Sequence, residues 1–194
     1  MPNANQPYAI LVGVGTLYLA PVGTAMPALT ATPSGAWVSQ GETDGGVKVT
    51  KTRSREKFSS DQRTGTVKAV QTEEGLTIEV NLHENTLENL ANAIGGSVAV
   101  TAAGSGTIGK KLLKLHSGAT VGEFALVFRG NSPYGDWPGQ YCLPRGYMDD
   151  DVEAEYVKDG KTLIPIKFEA LEDLNAATEA DRFGYVEYQH AAAL

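Results

Sequence analysis

Between Leu76 and Leu82 the chain alternates apolar and polar residues at every step, with Leu76, Ile78, Val80 and Leu82 pointing one way and Thr77, Glu79 and Asn81 the other. A period of two belongs to a strand with one buried and one wet face, so this segment demands a sheet packed on one side. Similar readings apply to Thr16–Leu19, closed by Pro21, and to Val47–Lys51, which follows the Gly45-Gly46 turn. Thr66–Gln71 and Leu76–Leu82 flank Glu73-Glu74-Gly75, where the glycine suits a hairpin position of positive φ. Lys111–Leu115 and Glu123–Phe128 read as a pair joined through Gly118, and Gly139–Leu143, Asp149–Tyr156, Leu163–Ala170 and Phe183–Tyr188 continue the series. The 22 glycines and nine prolines supply the turns that so many strands require.

One helix is expected over about 86–95. Asn85 or Thr86 caps it, Leu87, Leu90, Ala91 and Ile94 form a single apolar stripe, and Gly95-Gly96 stops it. The segment Leu171–Ala180 contains helix formers but also Asp173, Asn175 and Thr178, and reads as a loop with helical turns. The expected fold is mainly β: an antiparallel sandwich or barrel flanked by one short helix, with extended arms and loops. A chain of 194 residues fits one domain, with an N-terminal arm over 1–14, a long hairpin over 42–75 and a C-terminal segment over 171–194.

Charge narrows the functional classes. The net charge of −7 and pI near 5.0 argue against tight binding to nucleic acid and against docking on an anionic membrane. The apolar run Tyr8–Leu19 is short for a bilayer and carries Gly13 and Gly15. With no basic region before it, a signal peptide is not expected, and the chain reads as a soluble, non-secreted protein.

The charges are also segregated. No charged residue precedes Glu42, so the N-terminal arm suits packing against another surface better than solvation. Glu42–Lys68 holds seven cations against four anions, and Asp149–Asp181 holds eleven acids against three lysines. Opposite patches of this kind serve a subunit that stacks head to tail on copies of itself, although two solvated faces would have the same composition.

Signs of catalysis are weak. Cys142 is the only cysteine, which excludes an internal disulfide, and His83, His116 and His190 have no metal-ligand spacing. A nucleophilic Cys142 would need His116 or His190, and a buried structural cysteine is the simpler reading. Gly13-Val14-Gly15 lacks the third glycine of a dinucleotide loop. On a strand, Asp149, Asp151, Glu153 and Glu155 would share one face, which reads as a solvated acidic surface more readily than a calcium site. Lys110, Lys111 and Lys114 fit the protection of a strand edge. No enzyme, cofactor or metal is expected.

Three stretches taken in order, residues 15–27 (GTLYLAPVGTAMP), 32–47 (TPSGAWVSQGETDGGV) and 73–90 (EEGLTIEVNLHENTLENL), resemble the tail tube, or major tail, proteins of long-tailed bacteriophages, especially those infecting actinobacteria. Ser60-Asp61-Gln62 and Asp181-Arg182-Phe183-Gly184 fit the same pattern. The resemblance spans most of the chain and is densest over 15–96. It implies hexameric rings stacked into a tube that conducts double-stranded DNA into the host, with inner strands of six subunits joined around the lumen. The type VI secretion tube protein is a more distant relative of the same architecture.

The family matched also implies a non-contractile siphophage tail assembled in the host cytoplasm. Its partners would be a tape measure protein inside the tube and tail terminator and distal tail proteins at its ends. On this reading Lys48, Lys51, Arg53, Arg55, Lys57, Asp61 and Arg63 form an inter-ring stacking loop. Glu79, Glu84, Asp149, Asp151, Glu153 and Glu155 are candidates to line the lumen, where carboxylates would repel passing phosphates. The competing reading is a monomeric β-sandwich binding module, for carbohydrate or virion decoration, with an aromatic platform of Trp37, Trp137 or Tyr134.

Overall fold

The computed structural model describes residues 9–11, 13–116, 118–153, 158 and 160–192. The protein is mainly β and antiparallel. Among the described residues its strands are β1 (Thr16–Pro21), β2 (Val38–Ser39), β3 (Thr43–Ser59), β4 (Thr66–Leu82), β5 (Val98–Thr101), β6 (Lys110–Leu113), β7 (Glu123–Asn131), β8 (Pro138–Met148), β9 (Ile164–Ala170) and β10 (Tyr185–Tyr188), with one α-helix, α1 (Leu87–Ile94), and a short 3-10 turn at Glu179–Asp181. The main sheet runs β2-β1-β7-β8-β9-β4-β3, and β10 pairs with the first half of β8. The end of β8, Gly146–Met148, pairs instead with β9, so this strand links the two halves of the sheet. A Cβ at Gly146 would come within 2.4 Å of the Glu169 carbonyl oxygen and the Phe168 ring, so only glycine allows this crossing.

The two halves close on a shared core as a sandwich. Leu17, Leu19, Leu126 and Leu143 from one half meet Ile78, Val80, Leu82, Ile164, Ile166 and Phe168 from the other. The alternation that marked Leu76–Leu82 continues in β9, where every second residue from Ile164 to Ala170 is buried. The opposite face of β1, β7 and β8 buries Ala20, Ala125, Val127 and Cys142 beneath Trp37. That cover is a strap from the uncharged N-terminal region. It is held by Trp37 Nε1 donating to the Ala25 carbonyl, by Gln140 Nε2 donating to that of Pro27, and by the Arg129 guanidinium donating to those of Leu29 and Ala31.

Helix α1 closes one flank. The Thr86 hydroxyl accepts from the Asn89 amide, and Gly95 ends the helix at φ 68°. Ala93 enters the core, while the buried Asn89 side chain donates to the Gln40 and Glu84 carbonyls.

The structure corrects four local expectations. Gly75 is not at a turn: β4 runs through it, opposite Thr52 of β3, and the hairpin turns at 60–65 instead. Strand β6 pairs with β5, not with β7, which lies between β1 and β8. Strand β8 extends beyond Leu143 to Met148, past a register shift that accommodates Pro144. The chain then leaves the sheet, so the strand expected over Asp149–Tyr156 is absent through Glu153, and residues 154–156 lie outside the described residues.

Candidate assembly surfaces

The most distinctive surface is a ribbon. Strands β3 and β4 are each 17 residues long, about 55 Å when extended, and only their inner halves reach the core. From Lys51 to Glu74 every residue except Ser60 is exposed. The pairs Arg53 with Glu74, Arg55 with Gln71 and Lys57 with Ala69 put three cations along one face. The other face carries Glu56 opposite Val70 and Phe58 opposite Lys68. Phe58, Val67 and Val70 are exposed aliphatic or aromatic groups on this ribbon. Among the described residues, no strand pairs with the outer edge of β3.

The expected stacking residues fall into two groups. At the ribbon base, Lys48 pairs with Glu79 at 2.8 Å and Lys51 with Glu74 at 3.0 Å. Lys51 Nζ also lies 4.5 Å from the centre of the Phe183 ring. Arg53, Arg55 and Lys57 lie on the outer half, and Asp61 and Arg63 at its tip, where the Arg63 amide donates to the Ser60 carbonyl.

The expected lumen carboxylates are dispersed rather than aligned. Glu79 and Asp149 belong to a ladder of paired charges on the wet face of the sheet. Lys48 faces Glu79, Glu79 faces Lys167, and Lys167 pairs with Asp149 at 2.8 Å. The ammonium of Lys167 holds the Asp149 carboxyl below its ordinary range, and Lys51 does the same for Glu74. Glu84 precedes α1 and lies under Gly41. Asp151 lines a cleft of about 310 Å³ with Asp150, Met148 and the C-terminal end of α1. Glu153 is exposed, and Glu155 lies outside the described residues. The shared acidic face expected from strand alternation is therefore absent over Asp149–Glu153, because these residues are not in a strand.

Charge segregation is weaker in space than along the chain. Lys161, from the acidic region, pairs with Asp44 of the basic one. Pairing across β3, β4 and β9 thus cancels part of the contrast within one subunit. Sequence reasoning missed this ladder because registers between distant strands leave no local signal.

Reactive or aromatic platforms fare poorly. Burial pushes the Cys142 thiol up to about 11, and its neighbour is Tyr185 rather than a histidine. Trp37 is only 7% exposed and serves the strap core, which removes it from any ligand platform. Tyr134 is exposed but stacks edge-on against Tyr188, which in turn packs on Tyr141. Among the described residues, no group of His, Cys, Asp and Glu could hold a metal, and no helix is long and apolar enough to cross a membrane.

Among the described residues the chain is a sandwich with an uncovered ribbon and an open sheet edge, the class of surface that can pair with another chain. The family to which the chain belongs agrees with that class: the model of the phage tail tube protein family matches residues 2–188, and the protein is a structural component of the phage tail. A search of curated proteins finds no significant match.

Proposed function

We propose that the protein assembles into hexameric rings that stack into the tube of a siphophage tail and conduct double-stranded DNA into the host. The observation that carries this reading is the outer ribbon of β3 and β4. An isolated two-stranded hairpin is marginal in water, and among the described residues the outer half of this one has both faces and both edges uncovered. A second copy would supply the missing contacts. Arg53, Arg55, Lys57, Asp61 and Arg63 are then the groups that meet the adjacent ring, while Lys48 and Lys51 hold the ribbon base.

The free edge of β3 supports continuation of the sheet from one subunit to the next, which would remove an aggregation-prone edge inside a closed ring. The paired ladder of Lys48, Glu79, Lys167 and Asp149 would give a wall of nearly balanced charge. Such a wall offers no uncompensated cation to retain phosphates, so DNA would pass with little friction. In this reading Glu84, Asp151 and Glu153 are secondary contributors to the lumen. A tape measure protein would occupy the tube during cytoplasmic assembly, with tail terminator and distal tail proteins at its ends. The sequence resemblance supports a phage of actinobacteria.

Negative-stain electron microscopy of concentrated protein tests the proposal. Hollow rods or stacked rings of uniform diameter are expected. A species that remains monomeric, even when seeded with tail initiator complexes, would overturn it.

A further inference from the structure

The small sheet of β5 and β6 is a second uncovered surface. Residues 97–116 carry Lys110, Lys111 and Lys114 and no carboxylate, in a chain whose net charge is −7. Pairing sorts these groups by face. Val98 stands opposite Leu113 and Val100 opposite Lys111, on the side toward α1, where Lys111 reaches Glu88 at 2.6 Å. Ala99 opposite Leu112 and Thr101 opposite Lys110 make the outward face, and Lys114 follows in the same alternation. This face is apolar as well as cationic: Leu112 is 52% exposed and Ile108, just before β6 in the same alternation, is 79% exposed, while the exposed Val100 and Leu115 fall in the opposite alternation. Protection of a strand edge accounts for the lysines but not for exposed aliphatic groups among them.

A matching surface lies elsewhere on the same chain. The segment Glu172–Arg182 carries Glu172, Asp173, Glu179 and Asp181 against a single cation, Arg182. It borders the base of the β3–β4 ribbon, where Glu172 and Phe183 line a cleft with Gln71–Glu74. The Glu179 side chain is 89% exposed, and Leu174 at 69% gives this surface its own aliphatic knob. One side thus presents lysines around leucine, and the other carboxylates around leucine.

We propose that the outward face of β5 and β6 docks on the Glu172–Arg182 segment of a second copy of the chain. Lys110 and Lys114 face Asp173 and Glu179 across the contact, and Leu112 packs against Leu174. The contact joins two different patches, so it is heterologous and propagates into a ring or a stack rather than ending at a dimer. The inference rests on the tube reading and adds an interface separate from the β3–β4 ribbon.

The test uses the full chain with Leu112→Cys and Leu174→Cys together, oxidised with copper phenanthroline; the native Cys142 is buried and stays silent. A ladder of covalent oligomers is expected, ending at the ring number for a contact within rings and running on for one between them. Each single variant should give no ladder. Dimers from Leu112→Cys alone would mean that the face pairs with itself, which overturns the proposal. Normal particles without a ladder would overturn the contact and leave the tube reading standing. No particles even from the seeded wild type would remove both.

Charge reversal supplies an independent readout. Lys110→Glu with Lys114→Glu should slow assembly about tenfold at low salt. Adding Asp173→Lys with Glu179→Lys should restore the rate. Slowing without rescue would assign the lysines to a different partner and overturn the proposal.

Discussion

The inner and outer halves of the β3–β4 hairpin are continuous strands with opposite fates. In the inner half, Ile78, Val80 and Leu82 are buried against Ile164, Ile166 and Phe168, and β9 pairs with β4 along Thr77–Leu82. In the outer half, among the described residues, the same two strands have no third strand and no covered face. Backbone pairing is common to both halves, so pairing alone does not separate them. Apolar burial does, and it separates the part stabilised by its own chain from the part left for a neighbour.

The contrast is broken most directly in the core. Phe168→Ala removes a fully buried ring packed against the inner half and should cost about 3–5 kcal/mol in denaturant unfolding of the monomer. A loss near zero would mean that the inner half does not depend on this packing. Thiol labelling compares the two environments by rate. Cys142, with its thiol raised to about 11, should react on the order of 100-fold more slowly than a cysteine introduced as Phe58→Cys on the ribbon. Comparable rates would contradict the burial of β8.

Phe58→Ser with Val70→Ser should leave monomer stability within about 0.5 kcal/mol, because both side chains are exposed. The same variant should slow assembly about tenfold by light scattering, the difference expected if a neighbour covers this face. The smallest effect is that of pH. Lys51 holds the Glu74 carboxyl below its ordinary range, so the pair supports the ribbon base above a pH of about 4. That support is lost as the pH falls through the lowered value, and amide spectra should show the base loosening before the core. Its loss on raising the pH instead would reverse the sign and exclude the pair as the cause.

What was legible in the sequence follows the same division. The buried faces of β1, β4 and β9 could be read because burial on one side imposes a period, and so could the caps of α1. The helix buries Asn89, Ala91 and Ala93, whereas Leu87, Leu90 and Ile94 of the expected stripe are only half-buried. The outer half of β4 imposes none, so Glu73-Glu74-Gly75 resembled a turn although the strand continues through it. Strand β5 was missed and β6 mispaired for the same reason, since little of that sheet is buried. The basic residues of the ribbon were found from local composition. The ladder from Lys48 to Asp149 was not, because it depends on registers among three strands and on the residue that follows β8. The acidic run misled in the other direction: its alternation is real in sequence, but Asp149–Glu153 lie in no strand that could express it.

Hydrogen exchange on the ribbon amides, in monomer and in assembled particles, tests the division most directly. In the monomer, amides across residues 53–59 and 66–73 should exchange far faster than those of Ile78–Leu82, and they should become protected on assembly while the inner half stays unchanged. Equal protection of both halves in the monomer, or an outer half still unprotected in the particle, would contradict the claim that a neighbouring copy completes this ribbon.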